Sequence, residues 1–390
     1  MNTRLLGMVL LLFPAILVFG CSGDGINSAP GPRAKNIILF IGDGMGAEHR
    51  KAARWATVGE TGKLAMDDMP ASGLLQTHSA DKLITDSAAA TTAIATGVKT
   101  NNGVIGLDAN LGNLPTILEK AKRQGKRVGL VTTTHIVHAT PAAFAAHIKD
   151  RNLEREIAEQ LLFAGVDILL GGGEDEFLPA SDNGCFPEAG ERDDGRNVIN
   201  EAIAIGYVYV CEPGSFASLE TSPTLQLIGL FADEGMTRPF SPSLAEMTQK
   251  AIDILSQGSN GFFLMVEGGQ IDWASHNNDA KNAISDTIGL DEAVEVAKQF
   301  ASLANDTLII VTADHETGGM VVSLSPSGLP GEDGPFSTPD GSQFYVNWST
   351  IDHTAVDVPV TSQGPLSGRL NGINDNTFLH EVMFSAFDGV

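Results

Sequence analysis

The sequence predicts an α/β protein built on a doubly wound, mostly parallel central sheet with helices on both faces. Three observations predict it. Residues 36–41, 127–132, 261–266 and 307–312 are apolar runs without polar alternation, the mark of strands buried on both faces. Segments with helical signals separate them. Acidic or histidine side chains follow each run, at the sheet edge where open α/β proteins form their sites.

The first run leads into Gly42-Asp43-Gly44-Met45-Gly46, so Asp43 stands at a strand's carboxyl end between glycines that permit close approach. The loop lacks the Lys-Ser/Thr of a nucleotide P-loop. A helix is expected from Ala47. Thr85-Asp86-Ser87 opens an alanine-rich helix to about Ala95, alanine being the best helix former. A helix start exposes free N–H groups and partial positive charge, so Ser87 can meet an anion there, with Asp86 as cap. Residues 114–124 read as a helix stopped by Gly125. The next run leads to His135, His138 and Thr140-Pro141, where proline suits the first turn of a helix over 142–148. Arg151 follows. Its guanidinium fork matches phosphate bidentately; the alternative is a surface ion pair with Asp150 or Glu154.

A helix over 153–163 and a strand over 166–170 come next. Residues 171–223 read as irregular and without evident chemistry. A short strand over 226–231 and an amphipathic helix over 243–255 follow. The run 261–266 delivers Glu267. Asp272 and His276 are four apart, so on a helical turn they face the same way and can share a metal. A long helix is expected over 280–303. The last run ends in Asp314-His315. Residues 323–342, rich in Gly, Pro and Ser, read as a surface excursion. The chain returns through His353 and closes with a helix over 378–387.

The 390 residues suffice for one large domain or two. With no internal repeat and no second core, residues 36–390 read as one domain carrying a small insert at 323–352. The net charge of −24 repels nucleic acid and gains nothing from an anionic membrane, which excludes both as partners. It repels a phosphate ester as well, so an anion site needs bound cations. At the start of the chain, Arg4 and the apolar residues 5–19 read as a signal peptide over 1–20, too short to span a membrane. Val18-Phe19-Gly20-Cys21 resembles a lipoprotein cleavage site with Cys21 as the lipidated residue, ordinary signal cleavage being the alternative. Residues 21–35 are then a tether. The expected location is the periplasm or cell surface, with membrane contact only through the lipid on Cys21. The remaining pair, Cys185 and Cys211, suggests a disulfide in an exported protein, two buried thiols being the alternative.

The candidate metal ligands are Asp43, Thr140, Glu267, Asp272, His276, Asp314, His315 and His353. They exceed what one tetrahedral zinc needs, and a harder ion such as magnesium prefers oxygen ligands like Thr140 and Glu267. Spacing alone does not assign ligands to ions.

Ile41-Gly-Asp43-Gly, Thr85-Asp-Ser87-Ala-Ala, Thr96-Gly-Val-Lys-Thr100, Ala139-Thr140-Pro141-Ala-Ala, Glu267-Gly-Gly-Gln-Ile-Asp272 with His276, Thr312-Ala-Asp314-His315-Glu-Thr-Gly-Gly and His353-Thr occur in this order. Together they resemble the alkaline phosphatases, from about residue 36 to the C-terminus. The resemblance implies hydrolysis of small phosphate monoesters through a phosphoserine on Ser87. It implies two zinc ions and one magnesium: Asp272, His276 and His353 on the first zinc, Asp314 and His315 on the second. Asp43 would lie between the second zinc and magnesium, whose site Thr140 and Glu267 complete. Arg151 would bind the substrate phosphate, positioned by Asp86. His138 stands where some members have aspartate, beside the magnesium ligands. Trp273 stands where others have lysine or histidine, near the phosphate, to donate its indole N–H through water or to pack. The insert is short for the family's crown loop, and the resemblance allows a homodimer. A sulfatase would need Cys or Ser before x-Pro-x-Arg, which Ser87 lacks. A phosphodiesterase and a non-catalytic metal-binding lipoprotein are the remaining rivals. His49, His78, His135, His147, His380, Trp55 and Trp348 read as structural or surface residues.

Overall fold

The computed structural model describes Met1 and residues 33–389. The signal peptide, Cys21 and most of the tether lie outside the described residues. Among the described residues, fifteen strands and eleven helices follow in chain order. The first eight strands are β1 (Asn36–Gly42), β2 (Ala71–Gln76), β3 (Arg127–His135), β4 (Ile168–Gly172), β5 (Tyr207–Val210), β6 (Gln226–Leu230), β7 (Phe262–Gly268) and β8 (Thr307–Thr312). Short strands β9 (Glu316–Thr317), β10 (Val321–Ser323), β11 (Asp333–Ser337), β12 (Gln343–Asn347) and β13 (His353–Thr354) precede β14 (Val358–Gln363) and β15 (Gly372–Asp375). The helices are α1 (Ala47–Val58), α2 (Ser87–Thr96), α3 (Ile117–Arg123), α4 (Ala139–Ala142), α5 (Glu154–Phe163), α6 (Val198–Ala204), α7 (Pro213–Ser218), α8 (Leu244–Leu255), α9 (Gln270–His276), α10 (Ala280–Ala301) and α11 (Phe378–Asp388).

Ten strands form one sheet in the order β15-β2-β14-β8-β1-β7-β3-β4-β6-β5. From β8 to β5 every pairing is parallel. Strand β14 runs antiparallel to both β8 and β2. The parallel strands need helical crossovers, which cover the sheet and bury β1, β3, β7 and β8 along their whole length. That burial is why these four were visible as unbroken apolar runs. On one side α8 packs on α10 and α10 on α1; elsewhere α2 packs against α4 and α11.

Four expectations need correction. The helix over 142–148 stops at Ala142. Ile148 instead exchanges backbone hydrogen bonds with Ile105 at 2.9 and 2.8 Å, and that tertiary pairing outweighs alanine's helix propensity. Residues 171–223 are not irregular: they hold α6, α7 and β5, the last strand of the sheet. Strand β5 has four residues and a half-buried middle, too short for a periodicity signal. Strands β2, β14 and β15 were missed because they lie on the mixed side, are partly exposed and lack a continuous apolar run. Lastly, a small second core exists. Trp55 meets Phe344 edge-on at 5.7 Å, with Met320, Val346 and Ala283 around them. It seats the three-stranded sheet β10-β12-β11, the expected insert, on α1 and α10.

Candidate active site

Strands β8, β1, β7 and β3 are consecutive neighbours in the sheet, and their carboxyl ends deliver the site. In register, Ile41 pairs with both Thr312 and Glu267, and Thr132 with Glu267. Asp43, Glu267 and Asp314-His315 therefore emerge at one level. Helix α9 adds Asp272 and His276, one turn apart, directly after β7. The hairpin of β9 with β13 carries His353 back over the site, opposite Thr317.

Ser87 is the first residue of α2 and is buried. Its Oγ lies 3.4 Å from Asp43 Oδ2 and 3.3 Å from His315 Nε2. Asp86 caps the helix: one carboxylate oxygen accepts from the Ala89 N–H at 3.0 Å. Its other oxygen accepts from the Gly103 N–H at 2.9 Å and from Arg151 Nη1 at 3.1 Å. Arg151 is thus neither paired with Asp150 nor with Glu154; it is held against the serine's helix start. Its Nη2 donates to His138 Nε2 at 2.9 Å. An acceptor at Nε2 leaves the ring proton of His138 on Nδ1, which sits 4.0 Å from Glu267 Oε1. Burial, and next the Arg151 charge, push the His138 imidazole well down, so it stays neutral.

Three groups of ligand atoms cluster here, each within 4.8 Å: Asp272, His315 and His353; Asp43, Asp314 and His315; and Asp43, His138 and Glu267. His276 joins the first through Nε2, 3.3 Å from Asp272 Oδ2 and 3.2 Å from His353 Nε2. His315 and His353 stack at 3.6 Å. Backbone carbonyls aim two of these rings: His353 Nδ1 meets Thr85 O at 2.9 Å and His276 Nδ1 meets Ile351 O at 2.5 Å. Thr317 Oγ1 touches Asp272 at 2.5 Å and His315 Nδ1 at 3.2 Å, a bridging role that sequence reading missed. Thr132 was missed likewise; it hydrogen-bonds Glu267. The only sign of either was its place beside a strand-end ligand.

The polar atoms facing the centre lack protein partners. Asp43 Oδ1, Asp314 Oδ2, Glu267 Oε1, Thr140 Oγ1 and His138 Nδ1 are all buried without a hydrogen bond. Leaving one such atom unpaired costs about 1–3 kcal/mol, and the four oxygens, which unlike the protonated His138 Nδ1 can accept an ion, together mark a cradle for cations. The acids show the same strain. Burial, then Asp314, Asp272 and Glu267, push Asp43 well above the usual carboxylate range. Burial pushes Glu267 up to about 7 and, with Asp272, Asp314 up to about 6. Asp272 alone is held low: His276, His315 and His353 overcome its burial. Its hydrogen bond in turn raises His276 to about 9.

A prediction follows for the metal-free protein. A carboxyl raised in the fold stabilises it only while protonated, and that stability is lost as pH rises through the folded value. His138 and His315, both held low, act oppositely, but only below their ordinary value near 6.5. Above it Glu267, Asp43 and His276 all pull one way. The melting temperature of the metal-free form is expected to fall from pH 6.5 to 9, while the metal-loaded form holds steady. Calorimetry showing the same profile for both forms would contradict this.

Trp273 is half-buried beside His135 and His138, its ring 6.0 and 6.3 Å from theirs. His49 is buried and contacts Ser275 Oγ at 2.9 Å. Cys185 and Cys211 are joined by a disulfide, away from this site, across a Cα separation of 6.3 Å. A histidine beside Ser87 was not visible in the sequence, yet His315 is there. Its Nε2 also faces Asp314 Oδ2 at 3.3 Å and Asp43 Oδ1 at 3.5 Å, the geometry of a ligand.

A family model described as alkaline phosphatase matches residues 34–342. Alkaline phosphatase 4 of Bacillus subtilis is 42% identical over 75% of this chain, a match that spans 63% of that relative's own length. The alkaline phosphatase of Escherichia coli is 34% identical over 93% of this chain and 87% of its own. Among solved structures, the alkaline phosphatase from the Antarctic bacterium TAB5 superposes with a TM-score of 0.78 at 31% identity, covering 92% of this chain and 98% of that one. A histidine-to-aspartate variant of that enzyme, at a TM-score of 0.77, 30% identity and coverage of 92% and 99%, has Mg bound in its M3 site. On the family match across most of its length and these near-complete relatives, the chain belongs to the alkaline phosphatase family.

Proposed function

We propose that Ser87 is the nucleophile through which this alkaline phosphatase hydrolyses phosphate monoesters, in a site holding two zinc ions and one magnesium. The observation that supports it is the ring of unpartnered ligand atoms around the Ser87 hydroxyl. The donor set fits. Asp272, His276 and His353 would hold one zinc, and Asp314 and His315 the second, with Asp43 reaching both it and magnesium. Thr140 and Glu267 would hold magnesium, with the protonated Nδ1 of His138 beside them as a donor and not a ligand. When bound, these ions lower the pKa of the serine hydroxyl and stabilise the leaving oxygen.

The chain's own groups do the rest. Arg151 grips two phosphoryl oxygens with its fork and neutralises their charge. Asp86 and His138 set its direction. The N-terminus of α2 adds free N–H groups and its dipole beneath the same anion. Ser87 Oγ attacks phosphorus, the ester P–O bond breaks and the alcohol leaves. Water then attacks the phosphoserine, releasing inorganic phosphate and restoring the hydroxyl. Such a division is needed because monoester hydrolysis requires up to about 10²¹-fold acceleration. Trp273 would line the phosphate side beside His138.

The same reading makes residues 1–20 a signal peptide and Cys21 a lipid anchor, placing the enzyme in the periplasm or at the cell surface. Among the described residues no helix is long and apolar enough to cross a membrane. Residues 36–390 form its catalytic domain, with a homodimer as the proposed assembly. Metal analysis beside turnover of p-nitrophenyl phosphate and bis(p-nitrophenyl) phosphate tests the function. Two zincs and one magnesium per chain with the monoester strongly preferred are expected; faster cleavage of the diester would sink the reading.

A further inference from the structure

Positive charge gathers at the edge of the sheet opposite the catalytic centre. Residues 120–127 hold five of the chain's 24 lysines and arginines and no acid, in a protein of net charge −24. They run from α3 into β3. Strands β8, β1, β7 and β3 begin level with one another: Asn36 pairs with Thr307, and both Ile37 and Val128 pair with Phe263. Their amino ends form one face, with Lys35 just before β1 and Lys126 just before β3. Lys126 Nζ reaches across it, donating to Lys35 O at 2.9 Å and Asn260 O at 2.8 Å.

Much of this charge is not cancelled within the fold. Lys120 pairs with Asp388 at 2.6 Å and Arg127 with Asp167 at 3.3 Å. Lys122 and Lys126 donate instead to backbone carbonyls. Lys35 is exposed, and exposed Arg123 has Glu119 no nearer than 3.9 Å. Burial, and next the Lys35 charge, lower Lys126, with Asp306 offsetting this in part. Bare apolar side chains stand at the same level, each where a helix hands the chain to the next strand. Phe163 closes α5 ahead of β4, Ile205 follows α6 ahead of β5, and Leu303 follows α10 ahead of β8. They are 69%, 60% and 82% exposed. Cations interspersed with apolar groups match a bilayer surface, where anionic headgroups cover hydrocarbon.

The described chain also enters at this face. Arg33 Nε donates to Asp388 O at 2.9 Å, and the Lys35 N–H to Asp306 O at 2.7 Å. Twelve positions separate Arg33 from Cys21, a reach of at most about 40 Å.

We infer that the amino-end face of the sheet, through Lys35, Lys122, Arg123 and Lys126, docks on the anionic phospholipid headgroups of a bilayer. Docking depends on the proposed lipid at Cys21, which holds the face at high effective concentration beside the membrane. Exposed charges more than about 8 Å away are largely screened at physiological salt, so the local cations govern this contact and the net charge does not. Strand β1 is seven residues long, about 20 Å, and Ser87 stands beyond its far end. Docking therefore turns the catalytic centre away from the bilayer, toward dissolved substrates.

The test uses the full chain, processed in the cell, purified from membranes and reconstituted on vesicles. Sedimentation with neutral phosphatidylcholine vesicles reports the anchor alone. A fluorophore on Ala304→Cys, exposed at the amino-end face, or on Leu83→Cys, exposed just before Ser87, reports contact through quenching by a headgroup nitroxide lipid. On phosphatidylglycerol vesicles the label at 304 should be quenched several-fold more than the label at 83. Salt at about 0.5 M should remove the difference while the protein stays bound. Lys35→Glu combined with Arg123→Glu should cut the quenching at 304 to its level on neutral vesicles, with p-nitrophenyl phosphate turnover and anchoring unchanged. Equal quenching at both labels, or quenching indifferent to lipid charge or to the paired variant, would overturn the docking face. Failure to sediment with neutral vesicles would refute the anchor. Salt-sensitive sedimentation with phosphatidylglycerol vesicles, lost in the paired variant, would then uphold the face, and its absence would overturn it. Self-association without vesicles that the paired variant abolishes would assign the face to a second copy instead.

Discussion

Ser87→Ala is expected to reduce turnover of phosphate monoesters by about 10⁴-fold or more while leaving the metal content of the protein unchanged. The size follows from the chemistry: among the described residues no other hydroxyl takes the place of Ser87 Oγ between Asp43 and His315, so no phosphoenzyme is expected to form. The unchanged metal content follows from the fold. Alanine is the best helix former, and α2 keeps its cap, because the Ala89 N–H still meets Asp86. Arg151 keeps its bond to Asp86 as well. Substrate should therefore still bind. Acid-quench labelling with radioactive substrate should show phosphate on the wild-type chain and none on the variant. Turnover within tenfold of wild type would remove Ser87 from the mechanism.

Removing the metals is expected to abolish activity altogether, with recovery only when zinc and magnesium are both returned. The donor set argues for this more strongly than any single contact. Four buried oxygens are left orphaned without cations, and Asp43, Asp314 and Glu267 are driven toward their protonated forms. A protonated carboxyl at Asp43 offers the Ser87 hydroxyl a proton in place of an acceptor. Arg151 and the protonated His276 would then be the positive side chains left near the phosphate in a chain of net charge −24. Dialysis against a chelator, then titration with zinc alone, magnesium alone and both, measures the effect. Full activity in the stripped protein would refute the metal dependence, and full recovery with magnesium alone would refute the zinc sites.

The candidate site residues were legible one at a time. Asp43, Glu267, Asp314 and His315 each follow an apolar run, and a strand buried on both faces must end where its side chains meet solvent or a ligand. Asp272 and His276 were legible as a pair because one helical turn puts positions four apart on the same face. Capping by Asp86 was legible because the bond is local. What was not legible shares one property: it depends on pairing across long stretches of chain. Ile148 leaves its expected helix for Ile105, and strands β2, β14 and β15 gain their place from partners more than from composition. An acid cluster of Asp175, Glu191 and Glu234 spans a region that looked featureless, since its members are scattered over 60 residues and none belongs to a motif.

By itself, then, the amino-acid order determined which segments are buried strands and which side chains stand at their ends, because burial leaves a local periodicity that reading along the chain detects. Tertiary structure alone decided that β8, β1, β7 and β3 lie side by side, which puts residues from Asp43 to His353 around one hydroxyl. It alone decided that Arg151 turns to Asp86 and His138 instead of its neighbours in sequence. The reason is physical: strand order is set by crossover connections and by packing between helices remote in sequence, and neither leaves a trace within any short window.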